Sequence, residues 1–150
     1  MTENSQPRPT RRVSPRLRPL GAAMVVTLLA QLLVGMANTF WLSLPESGSG
    51  WNEAAPAALL SAHLTVGTAL LVLAVWIAVL AVRGRSRGWM IASAVGILGL
   101  LTAFGGGSMF MGDTSDDLAS FVMAVGAAVA IGAYSLGLYP GAATRPAPTS

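Results

Sequence analysis

The chain is 150 residues long, 53% hydrophobic and only 10% charged, well below the roughly 25% charged residues of soluble domains, which excludes an ordinary water-soluble globule. It has no cysteine, so disulfides, Fe–S clusters, thiolate zinc sites, covalently attached haem and thiol nucleophiles are excluded as well. The formal charge of +3 comes from arginines flanking apolar runs rather than from a basic face on a folded domain, which excludes nucleic acid as a partner.

In chain order, residues 1–19 carry Pro7, Pro9, Pro15 and Pro19 among Arg8, Arg11, Arg12, Arg16 and Arg18 and read as a disordered cytoplasmic tail, since they hold too little apolar surface to build a core. The pair Arg11-Arg12 precedes an apolar run too long for a secretory h-region of about 7 to 15 residues, so the run reads as an uncleaved first helix. Beyond it, charges recur only at wide intervals: Arg18 to Glu46, Glu53 to Arg83, Arg87 to Asp113 and Asp117 to Arg145 each enclose an uncharged stretch. A hydrocarbon core of about 30 Å takes roughly 20 helical residues to cross, which predicts spans over about 20–42, 57–82, 89–111 and 118–139. Backbone polar groups need internal partners in hydrocarbon, and the runs are continuously apolar instead of alternating as barrel strands do. The expected fold is therefore all-α, an integral membrane antiparallel four-helix bundle. Residues 140–150 read as a second disordered cytoplasmic tail.

Arginine sets the expected orientation. Arg8 to Arg18, then Arg83, Arg85 and Arg87, then Arg145 fall on one side of the four spans, and Glu46, Glu53, Asp113, Asp116 and Asp117 on the other. The positive-inside rule then predicts a multi-pass plasma-membrane protein with both termini cytoplasmic. Phe40, Trp41 and Phe121 fall near the outer boundary and Trp89, Tyr134 and Tyr139 near the inner one, as interfacial belts; Trp76 lies deeper, packed or lipid-facing. The N-terminal arginines would draw on anionic inner-leaflet lipids, or serve topology alone. Small residues supply close packing in lipid, so the face Ala92, Gly96, Gly99, Ala103 of span three is expected to meet Gly126, Ala130, Ala133, Gly137 of span four. A parallel repeat of two hairpins fits the layout, with thin residue identity between the halves.

Polar residues inside the spans are few. Thr27, Gln31 and Asn38, with Gly35 between them, share one helical stripe, which should face the bundle. His63, the single histidine, lies about six residues, or roughly 9 Å, inside the outer boundary of span two, level with Asn38. Gly105, Gly106, Gly107 and Ser108 reach the same level, with Met109, Met111 and Met123 nearby. These positions predict an outer-half polar pocket of Asn38, His63, Gly105, Gly106, Gly107 and Ser108, with Met109 and Met123 as ligand or pocket partners. An intramembrane ionisable residue suggests a haem or metal ligand or a proton-responsive group; the plainer reading is a neutral histidine bonded to Asn38 or to a carbonyl near Gly105. A b-type haem in a bundle normally takes paired axial ligands and only methionine could join His63, so the expectation is no cofactor and no metal, with haem b at His63 as the alternative. The triple glycine admits a helix break or a close approach, or simply helix packing. Asp113, Asp116 and Asp117 lack the ligand spacing of a calcium loop, and Thr114 with Asp117 reads as a capping box at the start of span four.

The stretch Gly35-Met36-Ala37-Asn38-Thr39-Phe40, then His63, Phe104-Gly105-Gly106-Gly107 and Asp116-Asp117-Leu118-Ala119-Ser120-Phe121-Val122-Met123 resembles small uncharacterised four-span membrane proteins of actinobacteria, over about residues 20–140. That resemblance carries no activity. In layout the chain is also similar to one four-helix half of haem-handling proteins such as haem A synthase, whose paired histidines it lacks. With no catalytic constellation and no Asp, Glu or Arg within a span, the expected role is a small structural or interaction subunit, with a membrane protein partner or a homo-oligomer, and not an enzyme. The alternatives are a haem- or metal-binding protein using His63 and a small-molecule transporter or permease component.

Overall fold

Four helices follow one another along the chain: α1 (Leu17–Trp41), α2 (Ala54–Arg83), α3 (Arg87–Phe110) and α4 (Asp117–Leu138). This computed structural model describes the backbone of residues 16–41, 54–110 and 117–139 and the side chains of 16–37, 58–109 and 117–139. Each helix is long and apolar enough to cross a membrane, over Leu17–Ala37, Ala58–Arg83, Arg87–Met109 and Asp117–Leu138. The shortest of these stretches, 21 residues, rises about 31 Å. The two expected tails lie outside the described residues, except that α1 opens at Leu17 and takes in Arg18 and Pro19. Pro19 is tolerated there because the first turn of a helix leaves its N–H groups without intrahelical acceptors anyway, and Leu17 is fully buried.

The helices close into a ring in which each packs on its neighbours in the chain and α4 returns to α1, with α3 and α4 the closest pair. Their pairing is antiparallel: Gly106 lies against Ala119 and Met123, Gly99 against Gly126 and Ala130, and Gly96 against Tyr134, so position numbers on one helix fall as they rise on the other. The expected meeting of small-residue faces is what the structure contains. A Cβ on Gly99 would lie 2.7 Å from the Gly126 carbonyl oxygen and 2.8 Å from the Ala130 nitrogen, so the two backbones touch with no side chain between them.

The turn from α2 to α3 is equally tight. Arg85 N–H donates to the Val82 carbonyl (3.0 Å) and Ser86 N–H to the Ala81 carbonyl (3.0 Å), the paired reverse bonds of a Schellman ending, and Arg85 adopts φ 50° to make them. The Ser86 carbonyl then accepts from Met90 N–H at 2.9 Å, starting the next helix at once. This reversal gathers Arg83, Arg85 and Arg87 beside the entry to α1, where Arg16 and Arg18 lie. Asp117 opens α4 at the opposite end. Among the described residues the arginines thus share one end, and the opposite end, marked by Asp117, is the acidic end.

Inward-facing residues on α1 and α2 recur at alternating steps of four and three, the seam of coiled-coil packing: Leu17, Gly21, Met24, Leu28, Gln31 and Gly35 on α1, and His63, Gly67, Leu70, Ala74, Ile77 and Ala81 on α2. Toward the arginine end these seams are buried, with Met24, Ala74, Ile77 and Ala81 fully so. Trp89 closes that end, and the belt expectation for Trp89 and Tyr134 is corrected here. Trp89 is only 3% exposed and Tyr134 is fully buried, because facing glycines make room for the rings: a Cβ at Gly21 would strike the Trp89 indole, one at Gly137 would lie 3.3 Å from it, and one at Gly96 would strike the Tyr134 ring. Tyr139, Phe121 and Trp76 are exposed.

Candidate functional site

On α1 and α2 the seam changes character one turn beyond Leu28 and Leu70. There Gln31 takes the place of an apolar residue, and its Nε2 donates to the backbone carbonyl of His63 at 2.8 Å, tying α1 to α2. The His63 ring lies beside Gly35, with Cε1 3.5 Å from where a Cβ at Gly35 would stand, an ordinary van der Waals separation. Nδ1 of this ring is enclosed and has no partner, while the residue as a whole is half-buried. A neutral imidazole keeps one nitrogen as donor and one as acceptor. The tautomer with its proton on Nε2 leaves Nδ1 a bare lone pair, whereas ligation through Nε2 would leave a buried Nδ1–H without the acceptor that metal-bound histidines ordinarily have.

Gly67, one turn from His63 on the same seam, is half-buried, yet a Cβ added there would meet nothing within 4 Å. No residue of 29–37 on α1 or of 58–69 on α2 is fully buried among those whose side chains are described. Over the same level α3 and α4 stay closed on each other through Gly106, Ala119 and Gly126, all buried. The bundle is therefore sealed at the arginine end and opens beside α1 and α2 toward the acidic end, with Gln31, His63 and Gly67 at the opening.

The other residues of the sequence-derived pocket divide. Gly106 sits on the α4 backbone, a Cβ there falling 2.7 Å from the Met123 nitrogen and 2.9 Å from the Ala119 oxygen, and Gly107 would place one 3.7 Å from the Met123 sulfur; these three belong to the α3–α4 contact. Gly105, Ser108 and Met109 are exposed, and the Ser108 hydroxyl donates to the Gly105 carbonyl at 2.8 Å, which satisfies it locally. Helix α3 runs through the triple glycine without interruption. The side chains of Asn38 and Met111 lie outside the described residues, as do Asp113, Thr114 and Asp116 of the acidic loop. Among the described residues no group of three His, Cys, Asp or Glu could hold a metal ion.

A second polar set escaped the sequence reading. Trp89 Nε1, Ser93 Oγ and Tyr134 OH are enclosed and without partners, all in the arginine half of the α3–α4 pair. The spacing was there to find: Ser93 falls four residues after Trp89 and three before Gly96, on the small-residue face already assigned to the interior. Comparison with protein-family models, with curated proteins and with solved structures finds no match to this chain.

Proposed function

We propose that the chain is a multi-pass protein of the plasma membrane, both termini cytoplasmic, that works as a small structural or interaction subunit. The observation that carries this reading is the incomplete burial of α1 and α2 toward the acidic end, where the seam continues through Gln31, Gly35, His63 and Gly67 but, among the described residues, none of 29–37 or 58–69 is fully buried. Small residues admit close helix approach in lipid and polar side chains bond across helices, so a seam offering both suits a further membrane segment, from a partner protein or a second copy. Orientation is supported by Arg16, Arg18, Arg83, Arg85 and Arg87 gathering at one end, the end that faces the cytoplasm under the positive-inside rule. Arg8, Arg11, Arg12, Arg16 and Arg18 would there add about 1 kcal/mol each from anionic inner-leaflet lipids.

Photo-crosslinking in native membranes tests the subunit reading. A benzophenone side chain at Leu60 or Gly67, both half-buried on the open side, is expected to yield an adduct of one defined protein mass. The same group at Leu101 or Phe121, exposed on the closed pair, is expected to yield lipid adducts. Lipid adducts alone from all four positions would overturn the reading.

A further inference from the structure

We propose that Ser93 and Tyr134 together bind a buried water molecule that joins α3 to α4 near the arginine end. Ser93 is 1% exposed and Tyr134 fully buried, and neither hydroxyl has a partner in the protein. Five exposed hydroxyls of the bundle return to their own helix: Ser61, Thr65, Thr68, Thr102 and Ser108 each donate to a carbonyl three or four residues back, at 2.7 to 2.9 Å. The bond back suits a hydroxyl that meets only lipid. Ser93, the buried one, gives up that bond although the Trp89 and Met90 carbonyls stand in the same relation to it. A buried hydroxyl that bonds nothing costs its full desolvation, so a polar partner belongs beside it.

Tyr134 supplies the other side. Its ring crosses the face of Gly96, with the hydroxyl oxygen 3.0 Å from where a Cβ on Gly96 would stand. Ser93 lies on the same face one turn away, and Cβ positions three apart on a helix are about 5 to 6 Å from each other. A water that makes one O–H···O bond of about 2.7 to 2.8 Å to each hydroxyl bridges oxygens up to about 5.5 Å apart, the scale of that turn. Each hydroxyl can donate and accept, which gives one water the two or more polar partners it needs in an interior. The Trp89 indole turns Cε3 and Cζ3 to Gly137 and Cη2 to Gly21, so its N–H lies on the edge of the ring opposite those two glycines.

The test uses the full chain in lipid bilayers with Tyr139→Phe, which leaves Tyr134 the single tyrosine because the sequence has two. Magnetisation transfer from water to the Tyr134 Cζ carbon in solid-state NMR is expected to be fast, and to be lost in Ser93→Ala, while the buried Ala74 and Ala130 methyls stay dark. In denaturant titrations Ser93→Ala and Tyr134→Phe are each expected to raise the unfolding equilibrium constant about three- to ten-fold, and the double variant by less than the product. Absence of transfer to Tyr134 overturns the proposal, including the case in which the two substitutions are still coupled, since a direct hydroxyl bond would couple them without water. Transfer that survives Ser93→Ala places the water elsewhere and overturns it as well, and so do single variants that are neutral or stabilised.

Discussion

Gln31 holds α2 by a main-chain atom, and that choice decides how the α1–α2 contact responds to mutation. The His63 carbonyl is present whatever side chain position 63 carries, so the Gln31 bond at 2.8 Å does not depend on the imidazole. Replacing Gln31 with Leu removes one interhelical hydrogen bond, worth about 0.6 kcal/mol on average in membrane bundles. Replacing His63 with Leu removes an enclosed nitrogen that bonds nothing, a change expected to be neutral or slightly stabilising. The two substitutions should therefore add, with a coupling energy below about 0.3 kcal/mol, a value within the usual range for independent sites. A double-mutant cycle in bicelles measures it, and a coupling of about 1 kcal/mol would show that the imidazole itself takes part in the contact.

At the scale of the helix pair, glycines that look alike in the sequence divide into two kinds. Gly126 sits where α3 passes: a Cβ there would strike the Ala103 nitrogen and lie 2.6 Å from the Gly99 oxygen, and neither backbone atom can swing aside as a side-chain tip would. Gly126→Ala is expected to destabilise by about 1 to 3 kcal/mol, the usual cost of overpacking. Gly67 has nothing within 4 Å of the same added atom, so Gly67→Ala brings only the helix preference of alanine over glycine, up to about 1 kcal/mol in the stabilising direction. Opposite signs in a denaturant titration of the two variants are the expected result; a loss of stability at Gly67 would mean that the opening beside α2 is filled. The sequence does not separate these cases, because both glycines lie on inward seams at the same periodicity. What separates them is how far apart the helices stand at each level.

Across the whole molecule, what was legible is what one helix determines by itself. Lengths, spans, the pairing of Gly96, Gly99 and Ala103 with Gly126 and Ala130, and the sorting of arginines to one end all follow from charge spacing and small-residue periodicity along single segments. Trp89 and Tyr134 were misread because their aromatic character and their depth suit an interface, while their rotation about the helix, with Gly21, Gly137 and Gly96 opposite, suits a core; only the assembled ring decides. The Gln31 bond to the His63 carbonyl was not anticipated, since a backbone carbonyl is present at every position and leaves no mark in the sequence; the partners expected for the imidazole were Asn38, whose side chain lies outside the described residues, or a carbonyl near Gly105. Orientation rests on charge alone and is directly measurable, because the chain has no native cysteine. Gly88→Cys reports on the arginine end, where residue 88 is exposed and a Cβ meets nothing within 4 Å. Ser49→Cys and Ser115→Cys report on the segments joining α1 to α2 and α3 to α4. With an impermeant maleimide on intact cells, positions 49 and 115 should label and position 88 should label only after permeabilisation. The reverse pattern would invert the bundle in the membrane with its packing intact, and labelling of only one of 49 and 115 would mean that one of the four helices does not cross.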